Sequence, residues 1–599
     1  MNNHTPSIEK VKDFKGTLKK LVRELKVYKK SIIIVIIFAL GSTIFSIAGP
    51  KILGNATTEL FAGLMKKVNN TGGIDFSAIH KILLTVLILY IISAICAYIQ
   101  GYIVSGVTQK FTYKIRKNVS KKIDNLPISY FDKKSHGEVL SVITNDIDTI
   151  SQSLSQGAAQ IITSVTTVIG ILIMMITIDP IMTLISLTIL PISGIIISKV
   201  VKKSQKHFKN QQDYLGHVNG EVEEMFSGQN IIKVFNAEDK MISQFEKDND
   251  ILHDSAWKSE FLSGLMQPIM VFIGNIGYVA FAIVGGYFVI IGRISVGDIQ
   301  SFISYSKQFI QPMAQLAQIS NMLQAMMASS ERVFEFLEEE EETANILNPV
   351  STEKIKGNVE FKNVNFGYKK NQTIINDFSA TVKKGQKIAI VGPTGAGKTT
   401  LIKLLMRFYN VNEGSILIDG NNINDFNRSE LREVFGMVLQ DTWLFNGTIM
   451  DNLRYGKLNS TDDEVIEAAK TAHVHHFIQT LPDGYNMQLN EEASNISGGQ
   501  KQLLTIARAI LVNPKVLILD EATSSVDTRT EILIQKAMDT LMKGRTTFVI
   551  AHRLSTIKDA DLILVMDKGD IVEQGNHNEL IKKDGFYANL YNSQFEKLS

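Results

Sequence analysis

Long apolar runs crowd the first half of this chain, while the second half alternates short apolar strands with helical patterns. The stretch at 31–50 (SIIIVIIFALGSTIFSIAGP) carries no charge. At 1.5 Å per residue, about 20 such residues cross a hydrocarbon core of about 30 Å. Similar runs at 82–104, 161–178 and 181–200 predict three more spanning helices, the last two turning back on each other at Asp179-Pro180. Pro191 is expected to kink the fourth, which membrane helices tolerate when neighbours re-satisfy the backbone. A fifth span is predicted at 262–291 and a weaker sixth at 296–322. The sixth carries Gln300, Ser304, Gln308, Gln311, Gln315 and Gln318 at three- and four-residue steps, a polar stripe along one face. Such a face is costly in lipid, so it points either to hydrogen bonds between helices or to a passage lined by amides. Met313, Met322, Met326 and Met327 would add adaptable apolar contacts.

Charge orients these spans. Nine Lys and Arg residues fall in the first 30 positions, which predicts a cytoplasmic N-terminus. The connections at 105–160 and 201–260 are also rich in Lys and Arg, whereas the turns at Asp179-Pro180 and Gly292-Arg293 nearly lack them. Six spans with both termini inside fit, and the start does not read as a cleaved signal peptide. Phe14, Leu18, Leu21, Leu25 and Tyr28 recur at helical spacing between lysines, the pattern of an amphipathic helix on the inner membrane surface. The inner connections at 114–124 and 220–240 read as helices, so the spans are expected to continue into the cytoplasm and reach a second domain.

The whole-chain averages conceal this asymmetry. Over 599 residues the chain is 45% hydrophobic and 20% charged with net charge +2, which excludes a polybasic nucleic-acid binder and a largely disordered protein. A lone cysteine, Cys96, excludes an intramolecular disulfide and a cysteine-cluster metal site. Domains are expected at 1–340, a membrane domain, and 341–599, a soluble domain, with the acidic run at 338–342 and the stretch at 345–352 as linker.

The chemistry lies in the soluble half. The strand-like run at 387–391 (KIAIV) leads straight into GPTGAGKT at 392–399, a match to G-x-x-x-x-G-K-[ST]. Gly392, Gly395 and Gly397 let the backbone of Gly392, Pro393, Thr394, Gly395, Ala396 and Gly397 wrap its N–H groups around phosphate oxygens. The helix that follows, with Thr399 and Thr400 in its first turn, presents its positive end to the same anion. Lys398 can reach the β- and γ-phosphates, and the Thr399 hydroxyl can ligate Mg²⁺. A second strand at 516–519 (VLIL) delivers Asp520 and Glu521 at its tip. Asp520 would hold Mg²⁺, and Glu521 would orient the water that attacks the γ-phosphate.

Asn495 to Gln502 reads NISGGQKQ and precedes the Asp-Glu strand. It is similar to the LSGGQ signature of ATP-binding cassette proteins, with Ile496 in the leucine position. The resemblance extends to the remaining family elements in order. Tyr368 resembles the aromatic residue that stacks on adenine, and Gln440 the glutamine that joins the catalytic and metal site. Ser524–Asp527 (SSVD) resembles the D-loop and His552 the catalytic switch histidine. Stretches at 129–139 and 220–228 are similar to the coupling-helix regions that dock on the cassettes. The resemblance covers essentially the whole chain and implies an all-α six-helix transmembrane domain followed by an α/β P-loop nucleotide-binding domain. It implies a half-transporter of the exporter type, closest to bacterial multidrug exporters, using ATP and Mg²⁺ in the cell membrane.

The resemblance also implies a partner. In the family, Ser497, Gly498, Gly499 and Gln500 close over ATP held by a second cassette, so a working unit needs a second half-transporter. Asn490 and Ala493 stand where family members usually carry glycines, which favours a heterodimer over a homodimer. ATP-driven export of amphipathic molecules is therefore expected, with lipid translocation and an ATP-gated channel as alternatives. No nucleic-acid partner is expected, and no cluster of like charge in the spans selects the charge of the cargo.

Overall fold

In the computed structural model, residues 11–599 are described except 343–345, 347, 370–371, 440–441, 491–492, 494, 521–526, 551–556 and 596–599. Side chains at 158, 189–190, 192–194, 197, 310, 313–314, 316–318, 320–321 and 594–595 are likewise outside the description. The chain divides into two compact units, one of residues 1–124 and 134–339, the other of 125–133 and 340–599.

The first unit is helical. It comprises α1 (Phe14–Leu25), α2 (Lys29–Val68), α3 (Phe76–Asn125), α5 (His136–Ser141), α6 (Ile147–Ile178), α7 (Pro180–Ser227), α8 (Gln229–Val234), α9 (Glu238–Gly264), α10 (Met266–Ile290) and α11 (Val296–Glu338), while α4 (Ile128–Phe131) belongs to the second unit. Among the described residues, four helical stretches are long and apolar enough to cross a membrane: Phe14–Val68, Phe76–Asn125, His136–Ile178 and Glu238–Ile290. The lower apolarity of α11 follows from its amides. Pro50 does not end the first span; α2 runs on to Val68.

Neighbouring helices meet the needs of that proline. One turn apart on α11, Ser301 Oγ donates to Pro50 O (3.0 Å) and Tyr305 OH donates to Ile47 O (2.8 Å), carbonyls in the stretch of α2 that Pro50 disturbs. The same helices touch backbone to backbone at Gly54 and Gly297, where a methyl group on Gly297 would sit 1.7 Å from Gly54 O. Lys51 pairs with Asp298 at 2.5 Å just beside this crossing. Around it, Ile47, Ile171, Met175, Phe281, Phe302 and Tyr305 form a buried core joining α2, α6, α10 and α11.

The Asp179-Pro180 turn forms as expected, for a readable reason. The Asp179 carboxylate accepts from Ile181 N and Met182 N at the start of α7, and Pro180 takes the first helical position, where no N–H is needed. Arg293 Nε then donates to Asp179 Oδ2 at 2.5 Å, clasping the two short turns together. Helix α7 continues through Pro191. The predicted N-terminal helix is α1; Leu21 and Thr17 are buried, and its charged flank pairs with α11 through Lys20–Glu338. The acidic run is thus more than a linker, because Glu342 in the second unit makes a two-pronged pair with Arg432.

The second unit is α/β. A four-stranded antiparallel sheet, in the order β2-β1-β4-β5, is built from β1 (Val359–Phe366), β2 (Ile375–Val382), β4 (Glu413–Ile418) and β5 (Asn421–Asn422). Two short strands, β7 (Gly447–Thr448) and β8 (Gln488–Leu489), pair by themselves, and a six-stranded sheet has the order β12-β11-β3-β10-β9-β6. Its strands are β3 (Lys387–Val391), β6 (Phe435–Val438), β9 (Val516–Asp520), β10 (Thr546–Ile550), β11 (Leu562–Asp567) and β12 (Asp570–Gly575). All but β12 run parallel. Side chains alternate across a strand, so each parallel strand feeds two cores. Ala389, Leu517, Leu519 and Val549 enter one, and Ile388, Ile390, Ile518 and Phe548 the other. This is why these strands read as unbroken apolar runs.

Candidate functional site

Parallel strands put every following loop at one edge of the sheet, which is where ligands bind in open α/β folds. In register, Ile550 lies opposite both Ile390 and Asp520, and Val438 lies opposite Leu519. The strands β3, β6, β9 and β10 therefore end level. Gln440, Glu521 and His552 follow three of them in sequence, and all three lie outside the described residues.

After β3 the chain turns through the glycine-rich loop into α12 (Lys398–Leu405). Gly397 caps that helix at φ +101°, a left-handed conformation that L side chains rarely adopt. Its neighbours leave no room either: a methyl group there would lie 2.7 Å from Ile375 Cδ1, and one on Gly392 would lie 2.2 Å from Met566 O. Ala396 is buried and ties the loop down, its carbonyl accepting from Gly569 N at 3.2 Å. Thr394, Gly395 and Thr399 face outward, whereas Thr400 is buried.

Lys398 curls over this loop. Its Nζ donates to Gly392 O (2.7 Å) and Pro393 O (3.0 Å). Burial lowers its pKa below the ordinary 10.5, while the charge of Asp520 pulls it back up. A half-buried ammonium held by neutral carbonyls, beside a helix start and a ring of backbone N–H groups, fits a phosphate anion. Asp520 stands at the tip of β9, close enough for its charge to be felt by Lys398.

Tyr368 reaches the same helix from the far sheet. Its hydroxyl is 3.2 Å from Thr400 Oγ1, and its ring stands edge-on to Tyr409 with centroids 5.0 Å apart. Tyr368 remains partly open to solvent, as a stacking platform must. Sequence reasoning missed what surrounds it. Lys403 Nζ lies 5.9 Å from the Tyr368 ring and 5.8 Å from that of Tyr409. Asp132, just after α4, binds Lys403 Nζ at 2.8 Å and accepts from Tyr409 OH at 2.6 Å. Burial pushes the Asp132 carboxyl up, but its bonds to Lys403 and Tyr409 outweigh that and hold it below 3.8. The resemblance of 129–139 to a coupling-helix region points this segment at the nucleotide-binding domain, but nothing local says that Asp132 meets Lys403 and Tyr409, far away in sequence.

The signature sits elsewhere in the unit. Ser497 caps the helix Gly498–Val512 through a reciprocal pair: Gln500 N donates to Ser497 Oγ (3.3 Å), and Ser497 N donates to Gln500 Oε1 (2.8 Å). Ser497 and Gly498 are exposed, Gly499 is buried, and the space where a Gly498 side chain would stand is open. Among the described residues, the side-chain bonds of Ser497 and Gln500 stay within this first turn and do not reach the phosphate loop. The preceding segment is folded by asparagines: Asn495 Nδ2 donates to Gln488 O at 3.1 Å, and Ala493 N to Asn490 O at 2.8 Å. Ala493 is fully buried at φ +50°, a conformation that suits the glycine it replaces.

The polar stripe of α11 divides between its two readings. Gln300 bonds Thr57, and Gln315 accepts from Ser164 Oγ at 3.0 Å, so these two join helices. Gln311 instead lines a cavity between α10 and α11. The Gln318 and Met313 side chains lie outside the described residues. Met326 and Met327 are buried packing residues, not passage-lining ones.

Together these features define a phosphate-binding P-loop domain of nucleotide-hydrolase type fused to a helical membrane domain. Comparison with known proteins agrees. Residues 32–313 match the family described as ABC transporter transmembrane region, and 375–524 match ABC transporter. A fatty acid ABC transporter ATP-binding/permease protein of Mycobacterium bovis is 43% identical, over 97% of this chain and 96% of its own length. A putative multidrug export ATP-binding/permease protein of Bacillus subtilis is 35% identical over 97% and 99%. An ATP-dependent lipid A-core flippase of Syntrophus aciditrophicus is 34% identical over 91% of each. The chain belongs to the ATP-binding cassette transporter family, as an exporter whose membrane and ATP-hydrolysing domains are fused. It is an integral membrane protein that couples ATP hydrolysis to transport, and exporters of this family work as dimers.

Proposed function

We propose that this chain is one half of a dimeric exporter that moves amphipathic or hydrophobic small molecules of the multidrug type across the cell membrane. The observation that carries this reading is the Lys398 phosphate cradle built into the same chain as a helical membrane domain. In it, the residues 392–400 hold the phosphates of ATP and Tyr368 stacks on adenine. Mg²⁺, held by Thr399, Gln440 and Asp520, would neutralise charge on the β- and γ-phosphates. Glu521 orients the attacking water, with His552 and Gln440 completing the catalytic set. The turn of Ser497, Gly498, Gly499 and Gln500, exposed at Ser497 and Gly498, covers ATP bound by the partner chain, since an exposed helix start is suited to an anion brought by another molecule.

Both termini lie in the cytoplasm on this reading, following the lysine-rich start. A heterodimer is favoured by Asn490 and Ala493, which stand where family members usually carry glycine before the signature, even though Ala493 keeps a left-handed backbone. Lipid or lipid-linked cargo is the second reading, favoured by relatives named for fatty acid transport and lipid A-core flipping.

The test is Glu521→Gln in the purified complex. ATP hydrolysis should drop nearly to background while ATP binding persists; unchanged turnover would remove Glu521 from its role. In a heterodimer, the same change in the partner assigns any residual rate to a site.

A further inference from the structure

The membrane unit contains a cavity of about 420 Å³ between α10 and α11, large enough for a small amphiphile. Met270, Val271 and Phe281 give it an apolar wall, while Gln267, Lys307 and Gln311 are among its polar groups, with Asn275, Tyr278 and Ser306. Two other cations close to the ends of these helices are paired. Lys51 is paired with Asp298, and Arg293 with Asp179, each at 2.5 Å. Lys307 has neither a hydrogen bond nor an ion pair among the described residues, and none of the described residues lining the cavity is acidic.

Its depth makes this informative. Lys307 lies about three turns into α11, roughly 16 Å from the helix start at 1.5 Å per residue. The start follows the short turn clasped by Arg293 and Asp179, so the ammonium falls near the middle of a hydrocarbon core about 30 Å thick. An unpaired lysine at that depth is costly unless it faces water or an anion, and by default it marks a functional site. Gln311, one turn further on, shares its face and can hydrogen-bond the same head group.

We propose that Lys307 is the charge-selecting residue of a substrate site between α10 and α11 that takes amphiphiles with an anionic head, carboxylate or phosphate. The ammonium meets the head group, the amides of Gln267 and Gln311 complete its hydrogen bonds, and the apolar wall takes the alkyl chain. This rests on the reading of the chain as an exporter of amphipathic molecules and adds the sign of the charge.

The purified full-length complex in nanodiscs of zwitterionic lipid is tested with four chain-matched probes: palmitate, hexadecyl phosphate, hexadecanol and hexadecylamine. Displacement of a fluorescent amphiphile and stimulation of ATP hydrolysis are both measured. The acids should bind about tenfold more tightly than the alcohol, the effect of one charge-assisted contact. Lys307→Gln should erase that preference, Lys307→Arg should keep it, and Lys307→Glu should turn it towards the amine; elution profile and ATP binding verify that each variant is folded. The ranking of palmitate against hexadecyl phosphate separates the two head groups. An acid preference that survives Lys307→Gln overturns the proposal. If hexadecanol binds and stimulates as well as the acids do, Lys307 loses its role but the exporter reading stands. If no probe of any charge acts, both fall.

Discussion

The crossing of α2 and α11 supplies a sharp test, because one methyl group should pry it open. In Gly297→Ala the new carbon would lie 1.7 Å from Gly54 O and 2.5 Å from Thr58 Oγ1, where ordinary contact begins near 3.4 Å. Both obstacles belong to the facing helix, and the nearer is backbone, so no side chain can swing aside. The helices must part by well over an ångström. That strains the Gly297 N bond to Thr58 Oγ1 (3.1 Å) and the nearby bonds of Ser301 and Tyr305 to α2 carbonyls. Overpacking costs about 1–3 kcal/mol, and interhelical hydrogen bonds in membrane proteins average about 0.6 kcal/mol each. Against this, alanine improves on glycine in a helix by about 1 kcal/mol. Sterics win, for a net loss of about 1–3 kcal/mol. The assay is thermal unfolding in lipid nanodiscs, with Gly286→Ala as control, since a methyl group on Gly286 in α10 meets nothing within 4 Å. The control should be neutral or slightly stabilising. A Gly297→Ala protein as stable as wild type or the control would refute the close crossing.

Two further substitutions probe the soluble unit. Ala493→Gly should stabilise it by up to about 1 kcal/mol, because left-handed backbone costs an L-residue about 1–2 kcal/mol and glycine gives part of that back as entropy. Denaturant unfolding of the full chain checks this, and a destabilised variant would contradict the conformation at Ala493. Asp132→Asn should loosen the segment at 125–133 by less than about 1 kcal/mol, as expected for a half-exposed pair, read as faster hydrogen exchange there. The pH dependence has a definite sign: the Asp132 carboxyl is held below 3.8, so its contribution is complete above that pH and fades as pH falls through the lower native value. Exchange at 125–133 that is unchanged by acid would count against the contact.

Much of the candidate site is legible before folding because its chemistry is local. The loop from Gly392 to Thr399 needs glycine where the backbone passes close to Met566 and Ile375, and the sequence puts it there. The Ser497 cap is equally local, since its partner Gln500 stands three residues on within the signature itself. The Tyr368 neighbourhood is not readable, since Asp132, Lys403 and Tyr409 meet only through packing. Lys307 was visible as a lysine in an otherwise largely uncharged run, but a lone cation is not a cluster, and its importance depends on which partners surround it.

The sequence by itself determined where the apolar runs of the membrane domain lie, where the strands at 387–391 and 516–519 fall and where the phosphate loop turns between strand and helix. These follow from hydrophobic period and from bonds between residues a few positions apart. Only the tertiary structure decided that α2 runs on past Pro50 and touches α11 through bare glycine backbone, that the glutamine stripe splits between helix contacts and a cavity, and that Lys307 faces that cavity with no ion pair or hydrogen bond among the described residues. Contacts between distant segments depend on shape and relative placement, and no one-dimensional period encodes either.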